Sequence, residues 1–269
     1  MVRMKVTFVT VAYKTPELIR NLLKSVEFAK LGFAFEYIVV NNNPGDGLKQ
    51  ILEERFPWVT VIDAPGNVGF GAGNNIGFRL AKGEYVMCTN PDLTFFPGEM
   101  EKLLAHADAD PKAGIIGPKL LHPNRTMQRN FHRFPSLFMP AYRRTFLGKT
   151  PWGRRAIAHY QMHDFDGESV RDVDGLFGAA LLIRKQALEQ FGYFDETFFM
   201  YFEDVDLCRR AWQHGWRVCY VPTAHFVHYH QRESAIKWPW QILTQRTSRA
   251  HLASALHYFR KYRGQSSPR

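Results

Sequence analysis

Three acidic side chains, Glu203, Asp204 and Asp206, come directly after a run of aromatic residues. That run contains Phe198, Phe199, Tyr201 and Phe202. Acidic residues are common at helix N-termini, so their position is also compatible with a purely structural role. Carboxylates beside aromatic side chains are partly desolvated, however, and desolvation favours a proton acceptor. These acidic residues are therefore candidates for a general base.

Two further motifs carry side chains that can bind a divalent cation. His225, His228 and His230 lie in the segment HFVHYH, and Asp92 ends the segment TNPD. Imidazole and carboxylate groups are common metal ligands. Asn-Pro-Asp is also ordinary turn chemistry, and an isolated histidine is usually structural. The sequence thus predicts a metal site only if these distant segments meet.

A glycine-rich segment, GNVGFGAGNNIG, occupies residues 66–77. It does not match the dinucleotide fingerprint G-x-G-x-x-G, because Asn74 or Ile76 stands where the third glycine belongs. A glycine-rich turn at the start of a helix still permits close approach of a phosphate or a sugar. Its asparagines, at positions 67, 74 and 75, can bind such a ligand or cap the helix.

Strands and helices alternate in the first half of the chain, which predicts a parallel, doubly wound α/β sheet. The predicted strands are Val6–Tyr13, Tyr37–Val40, Trp58–Ile62 and Tyr85–Cys88, and the predicted helices begin at Thr15-Pro16, Leu48 and Asn75. Such sheets bind ligands at the carboxyl ends of their strands, here residues 12–14, 41–43 and 89–92. The stretch from Leu121 to Asp172 shows no periodicity and predicts no regular element. A basic helix is expected over roughly Ile242–Arg263.

The net charge of +10 is unevenly distributed over the 269 residues. Residues 117–163 contain nine Lys or Arg and no acid, and residues 234–269 contain seven and no acid, so the remainder is net acidic. This pattern favours an anionic partner, whether nucleic acid, phosphate ester or anionic lipid, over a merely solvated face. The longest apolar run, Leu176–Ile183, is too short to span a bilayer, and the N-terminus lacks a secretory pattern. We therefore expect a soluble, cytoplasmic protein.

Several motifs occur together in a characteristic order from Val6 to about Ser234. They are VTVAYKTPELIRNLLKSV, IVVNNNPGDG, GNVGFGAGNNIG, TNPDL, GAALLIRKQALEQFGYFDETFFMYFEDVDLCRRAWQHGW and HFVHYHQRES. In these motifs the chain resembles the inverting nucleotide-sugar glycosyltransferases of family 2, and within them the rhamnosyltransferase-like enzymes. The resemblance implies a GT-A fold, a Rossmann-like, mostly parallel sheet flanked by helices. It assigns residues 1–234 to a glycosyltransferase domain, with 1–100 as the nucleotide-sugar half and 101–234 as the acceptor and catalytic half, and 235–269 to a basic helical extension.

The resemblance also implies roles for individual residues. Asp204 matches the catalytic base, with Glu203 as the rival, and Asp92 and His228 match the ligands of Mg²⁺ or Mn²⁺. Asn90 stands where many members have the first Asp of a D-x-D motif, and Asn41 also replaces an Asp. The expected donor-binding residues are Thr10, Ala12, Tyr13, Asn41, Asn43, Gly66, Asn67, Gly69, Asn74, Asn75, Asn90 and Asp92. The aromatic run before Glu203 is expected to stack on sugar faces and to exclude water.

The implied reaction is transfer of a sugar from dTDP-rhamnose or a UDP-sugar to a hydroxyl of a glycan or polyprenyl-linked acceptor in bacterial surface polysaccharide synthesis. The basic C-terminal helix, preceded by Trp238 and Trp240, is expected either to lie on the anionic inner face of the cell membrane or to pack on the catalytic domain or a second copy. An inactive nucleotide-sugar-binding protein and a basic nucleic-acid-binding protein are the alternatives. No nucleic-acid-binding motif occurs, so no nucleic-acid partner is expected.

Overall fold

The structure is a computed structural model that describes residues 4–229 and 245–269. Its first half contains four parallel strands in the spatial order β3-β2-β1-β4. They are β1 (Val6–Ala12), β2 (Phe35–Asn41), β3 (Val59–Asp63) and β4 (Tyr85–Thr89), connected by helices α1 (Pro16–Ala29), α2 (Leu48–Arg55) and α3 (Phe70–Leu80). Because the strands are parallel, the carboxyl ends of β1, β2 and β4 lie at one edge of the sheet.

The second half extends this sheet. Its strands are β5 (Leu93–Thr94), β6 (Ala113–Leu121), β7 (Met127–Gln128), β8 (Phe131–His132), β9 (Arg171–Asp172), β10 (Gly175–Leu176), β11 (Ala180–Arg184) and β12 (Arg217–His228). β11 lies antiparallel between β4 and β6, β12 runs parallel to β6, and β5 pairs with the far end of β12. The helices are α4 (Glu99–Ala109), α5 (Met139–Arg144), α6 (Pro151–Tyr160), α7 (Lys185–Phe191), α8 (Glu203–Gln213) and α9 (Arg246–Lys261). A short 3₁₀ helix, Phe146–Lys149, joins α5 to α6.

The central strands are buried on both faces, as continuous apolar runs in parallel sheets require. Phe8 and Val9 are consecutive on β1 and fully buried, yet they enter different hydrophobic clusters, since successive side chains of a strand point to opposite faces. The sheet therefore separates two cores. Together they hold the strand ends, and with them the candidate site, in fixed positions.

The predicted mostly parallel α/β architecture is confirmed, with one antiparallel strand, β11, inside it. Helix α3 begins at Phe70, five residues earlier than predicted, because Gly69 (φ 93°) turns the chain directly into it. The prediction that residues 121–172 contain no regular element was wrong. α5 and α6 lie there, and the exposed apolar side chains of α6 hide the periodicity by which such a helix is recognised in sequence.

Helix α9 packs on the segment that precedes α8. Tyr258 lies 5.3 Å from Phe202 between ring centroids, and Ser254 Oγ donates a hydrogen bond of 2.9 Å to the carbonyl of Met200. Phe198 and Phe202 are thereby buried, so the expectation that the whole aromatic run faces a sugar was wrong for these two residues. Leu252 and Leu256 of this helix are exposed.

His230, Trp238, Trp240 and Ile242 lie outside the described residues, as does the boundary predicted at Ser234. Among the helices of residues 4–229 and 245–269, none is both long and apolar enough to cross a bilayer.

Candidate active site

The carboxylate of Asp204 lies in the first turn of α8. Two consecutive residues with left-handed backbone, Tyr201 (φ 70°) and Phe202 (φ 66°), turn the chain into this helix. Asp204 Oδ2 accepts a hydrogen bond of 2.9 Å from the amide of Gly178, and Oδ1 accepts one of 2.8 Å from the amide of Val205. Both bonds, together with the helix N-terminus, stabilise the ionised form of a carboxylate. Asp204 is only half-buried, so a substrate can approach it.

The neighbouring Glu203 is in a different environment. Its side chain is buried, and Oε2 has no hydrogen-bond partner among the described residues. Burial, followed by the nearby charge of Asp204, raises the pKa of Glu203 well above its usual value. Glu203 therefore holds its proton more tightly than an ordinary glutamate, and its burial keeps it away from a substrate. The local geometry therefore favours Asp204 over Glu203 as a proton acceptor.

Asp92 and His228 are 136 residues apart in sequence but meet where β5 pairs with the end of β12. His228 Nε2 lies 3.1 Å from Asp92 Oδ1, and both side chains are largely shielded from water. The amide of Tyr229 donates a hydrogen bond of 3.0 Å to the carbonyl of Asp92, which fixes the two segments against each other. Asn90 Nδ2 also approaches His228 Nε2, at 3.4 Å.

The Asp92–His228 pair fits a divalent cation. Gln128 Oε1 lies 2.9 Å from His228 Nδ1, and in this arrangement Nδ1 carries the hydrogen. Nε2 then directs its lone pair towards the carboxylate of Asp92. Two acceptors face each other at 3.1 Å, and a cation between them satisfies both. The structure thus brings together the two residues that the sequence resemblance assigns to the metal.

Asp204 and the turn that carries Asp92 are supported by the same stretch of backbone. The amide of Gly178 donates to Asp204, and the carbonyl of the next residue, Ala179, accepts a hydrogen bond of 2.9 Å from the amide of Asn90. A Cβ added at Gly178 would lie 3.0 Å from the ring of Phe70 and 3.6 Å from Asp204 Cβ. Residues 178–179, just before β11, therefore hold Asp204 close to the turn that carries Asp92.

The polar residues at the end of β2 are bonded mainly to one another. Asn41 Nδ2 donates to Asp46 Oδ1 at 3.1 Å and to Asp63 Oδ1 at 3.0 Å, and Asn41 Oδ1 accepts from the amide of Asn43. Asn43 Nδ2 in turn donates to Asp46 Oδ2 at 3.1 Å. This network fixes the turn that the resemblance assigns to the nucleobase, and its two carboxylates supply acceptor groups there.

Tyr13 lies beside this turn and is one of the exposed residues at the sheet edge. A hydrogen bond with Asn67 and the charge of Lys14 lower the pKa of Tyr13. Asn67 Oδ1 also accepts from the amide of Gly69 at 3.2 Å, while Gly66 adopts φ 153°. These predicted donor-binding residues line an accessible loop, and their role in binding stays a prediction.

Four other predicted donor-binding residues are fully or almost fully buried: Thr10, Ala12, Asn74 and Asn75. Thr10 Oγ1 bonds to Tyr37 and Thr89, and Asn74 Nδ2 donates to the carbonyl of Phe70. Asn75 Nδ2 donates to the carbonyl of Phe194 and to Glu196. These side chains hold structural elements together, so any contribution to donor binding is indirect in this conformation.

Sequence reasoning missed Asp46, Asp63, Gln128 and Gly178. Asp63 carries a clear signal, because it ends β3 just as Asn41 ends β2, and the two are register partners. Asp46 lies in the polar turn after β2. Gln128 and Gly178 carry no local signal, since their roles depend on contacts with His228 and Asp204 across 100 and 26 residues.

A second group of possible metal ligands, His106, Asp110 and Cys219, occurs in the described part of the chain. Burial raises the pKa of the Cys219 thiol to about 12, so it is protonated at neutral pH. Asp110 is already paired with Arg217, which also binds Asp172. These three side chains are better explained by packing and ion pairing near the starts of β6 and β12 than as a metal centre.

Comparisons with known proteins agree with this geometry. The family model described as glycosyl transferase family 2 matches residues 7–167, and that of glycosyl transferase family group 2 matches residues 92–263. An N-acetylglucosaminyl-diphospho-decaprenol L-rhamnosyltransferase of Mycobacterium tuberculosis is 32% identical over 206 residues, covering 71% of this chain and 66% of that protein. Rhamnosyltransferase WbbL of Escherichia coli strain K12 is 26% identical over 243 residues, covering 85% of this chain and 83% of its own.

Solved structures share the fold at low sequence identity. A mannosyltransferase from Pyrobaculum calidifontis in complex with GDP-Man and Mn²⁺ matches with a TM-score of 0.64 and 17% identity, covering 100% of this chain and 67% of that one. GalNAc-T7 with UDP, GalNAc and Mn²⁺ matches with a TM-score of 0.68 and 14% identity, covering 96% and 48%. The GT-A fold predicted from the sequence is thus confirmed, and the chain belongs to glycosyl transferase family 2.

Proposed function

We propose that this chain transfers a sugar, with inversion, from a nucleotide-diphosphate sugar to a hydroxyl group of a polyprenyl-diphosphate-linked or glycan acceptor in bacterial surface polysaccharide synthesis. The mycobacterial and Escherichia coli relatives are rhamnosyltransferases, which supports dTDP-rhamnose as the donor here, with a UDP-sugar as the alternative. The observation that carries the proposal is the support of Asp204 and of the Asp92 turn by the adjacent residues Gly178 and Ala179.

The reaction follows from the positions of the side chains. Asp204, exposed enough to meet a substrate and held by the Gly178 amide, accepts the proton of the acceptor hydroxyl. The hydroxyl oxygen attacks the anomeric carbon as the bond to the diphosphate breaks, and attack opposite the leaving group inverts that carbon. The neighbouring Glu203 is buried and its pKa is raised, so it is less suited than Asp204 to meet the acceptor hydroxyl.

Asp92 and His228 would hold Mg²⁺ or Mn²⁺, and such an ion supplies charge stabilisation to a departing diphosphate. Mn²⁺ in the two solved structures of the same fold supports the use of a divalent cation. Gln128 fixes the orientation of the His228 ring through its hydrogen bond to Nδ1. At the nucleobase end, Asn41, Asp46 and Asp63 would offer polar groups to a uracil or thymine ring.

The test is a donor panel of dTDP-rhamnose, UDP-sugars and GDP-mannose, each with Mn²⁺ and with a synthetic short-chain polyprenyl-diphosphate acceptor. We expect product with dTDP-rhamnose or one UDP-sugar, and NMR of the product should show an anomeric configuration opposite to that of the donor. Retention of configuration, or absence of both donor binding and product across the panel, would contradict the proposal. A donor that binds tightly without product would favour the inactive nucleotide-sugar-binding alternative.

A further inference from the structure

The segment of residues 137–160, here called the helical insertion, comprises α5, the 3₁₀ helix and α6. Its elements pack backbone to backbone. A Cβ added at Gly148 would lie 2.0 Å from the carbonyl oxygen of Tyr142, and one at Gly153 would lie 2.0 Å from that of Leu147. Because the backbone at these glycines packs directly against neighbouring backbone, few apolar side chains are needed to hold the helices together. The insertion is therefore compact although it contributes little to either core.

Four large apolar side chains of the insertion face outwards instead. Leu137 and Phe138 are 62% and 65% exposed, and Phe146 and Trp152 are 76% and 71% exposed. In α6 only Gly153 and Tyr160 are buried. Large aromatic side chains bury 150–250 Å² each when covered, so leaving several of them in water on one small unit is costly. An apolar surface of this kind marks an interaction site.

The Lys and Arg residues of the insertion are accompanied by no Asp or Glu within the same segment. No Asp or Glu occurs between Gly117 and His163, and the insertion itself contains five Lys or Arg. Among them Arg143, Lys149, Arg154 and Arg155 are exposed. Aromatic side chains on a segment that carries several cations and no acid of its own complement an anionic phospholipid surface, where the rings enter the interface and the cations meet the headgroups.

We propose that the helical insertion docks the chain on an anionic phospholipid bilayer, with Phe146 and Trp152 as the inserted side chains. A protein partner is less well matched, because the cores of protein interfaces are depleted in charge whereas exposed cations alternate here with the aromatic residues. The basic composition alone would also suit nucleic acid. Leu137, Phe138, Phe146 and Trp152 add an apolar surface that a phosphate backbone does not complement.

The insertion is connected to the candidate base through a short series of contacts. α6 ends at Tyr160, whose ring stacks on His132 at 5.2 Å between centroids. His132 lies 5.2 Å from Phe177, the residue before Gly178, whose amide holds Asp204. Trp152 is at the other end of α6, at most about 15 Å away along a helix of 10 residues. Docking does not depend on the proposed sugar transfer, but it would place Asp204 near headgroup level.

The experiment is flotation of the full chain with vesicles of phosphatidylcholine containing 30% phosphatidylglycerol, at low salt. We expect the wild-type chain to float and the double variant Phe146→Ser/Trp152→Ser to lose at least about fivefold of the bound fraction. The matched control is Phe28→Ser/Leu80→Ser, which removes exposed apolar side chains from α1 and α3 and should float like the wild type. A second pair compares Arg154→Gln/Arg155→Gln with Lys24→Gln/Lys49→Gln, and only the former should reduce flotation.

Circular dichroism and thermal unfolding of each variant keep folding separate from docking. Equal flotation of the wild type and Phe146→Ser/Trp152→Ser would overturn the proposal, and Leu252→Ser/Leu256→Ser would then show whether α9 carries the attachment. A wild-type chain that stays unbound, or one that binds neutral and anionic vesicles alike, would also overturn it. Flotation requires no catalysis, so a chain that floats without transferring sugar would contradict the proposed function and leave the docking proposal standing.

Discussion

The two halves of the molecule use their polar side chains differently. In the N-terminal half, residues 4–89, the polar groups at the strand ends mostly bond to one another, as Asn41 does with Asp46 and Asp63. In the C-terminal half, Asp92, Asp204 and His228 come from distant segments and are brought together by contacts between those segments. The polar groups of the N-terminal half are fixed by local hydrogen bonds. Asp92, Asp204 and His228, here called the assembled centre, come together only through contacts between distant segments.

This difference separates the expected consequences of substitution. A polar side chain that satisfies buried backbone groups contributes mainly to the free energy of unfolding. A half-buried carboxylate held by one or two amides contributes mainly to the chemical step. Substitutions of such buried polar side chains in the N-terminal half should therefore lower stability with activity retained, and substitutions at the assembled centre should do the reverse.

The largest expected effect is at the metal pair. Asp92→Ala should reduce transfer by about 10³-fold and abolish the Mn²⁺ dependence of donor binding, because a site with His228 alone has lost its carboxylate ligand. Excess EDTA should likewise abolish the activity of the wild-type chain. Donor binding is measured by calorimetry with and without Mn²⁺. Glu53→Ala, an exposed acid on α2, is the control, and full activity in EDTA would contradict the assignment.

Next in size is the base. Asp204→Asn should lower the rate of transfer by at least about 10²-fold, equivalent to about 2.7 kcal/mol of transition-state stabilisation, while the donor affinity changes less than about twofold. The amide keeps the shape of the side chain and loses the proton-accepting group. Single-turnover kinetics with saturating donor measure the effect. Near-normal turnover would exclude Asp204 as the base.

Helix α9 offers a test of stability in the C-terminal half. Lys261 Nζ binds Asp206 Oδ1 at 2.6 Å and Asp195 Oδ2 at 2.7 Å, and Asp206 is fully buried. Lys261→Met should lower the free energy of unfolding by about 2 kcal/mol, less than for a fully buried pair because Lys261 is partly exposed and Arg210 still binds Asp206. Chemical denaturation measures the change. The exposed neighbour Arg260→Met is the control, and an equal loss in both variants would refute a specific role for Lys261.

In the N-terminal half, Asn75→Ala should lower stability by about 1.5 kcal/mol and leave the KM for the donor within about twofold. Its amide satisfies the carbonyl of Phe194 and binds Glu196, and the side chain is buried. Thermal unfolding and donor titration are measured side by side. A large rise in KM with unchanged stability would restore Asn75 as a donor ligand and break the contrast between the halves.

The smallest effect is expected at Glu203. Glu203→Gln should keep transfer within about threefold, since the wild-type side chain is buried and the amide keeps its shape. Because burial raises the pKa of Glu203 in the folded state above the unfolded value, its contribution to stability is complete at acid pH and is lost as the pH rises through the folded pKa. The free energy of unfolding should thus fall less steeply with alkaline pH in Glu203→Gln. A hundredfold loss of transfer would instead make Glu203 the base.

The N-terminal half was predictable from the sequence because its signals are local. The strand predicted over Val6–Tyr13 is observed over Val6–Ala12, since a continuous apolar run between turn residues has few alternatives. The helical insertion was not predictable, because Gly148 and Gly153 pack against backbone and the apolar side chains point to solvent.

The candidate site likewise contains residues that could be predicted from the sequence and residues that could not. Asp92, His228 and Asp204 were identified by type and by resemblance to the family. The burial of Glu203 and of Asn75 was not, because burial depends on what packs against a residue, here Phe194 and its neighbours. Gln128 was missed for the same reason, since a glutamine has no distinctive context until it meets His228.

Gly69 lies at a contact between the two halves of the molecule and limits the substitutions that either half can accept there. The amide of the next residue, Phe70, donates a hydrogen bond to the carbonyl oxygen of Phe199. A Cβ added at Gly69 would lie 2.2 Å from that oxygen. Any other residue at position 69 must therefore displace the aromatic run that leads into Asp204. Under the proposed function, in which this loop meets the nucleotide sugar, a loop that changes to accept a new donor would alter the position of Asp204 at the same time. A new donor preference would then require paired changes on both sides of this contact.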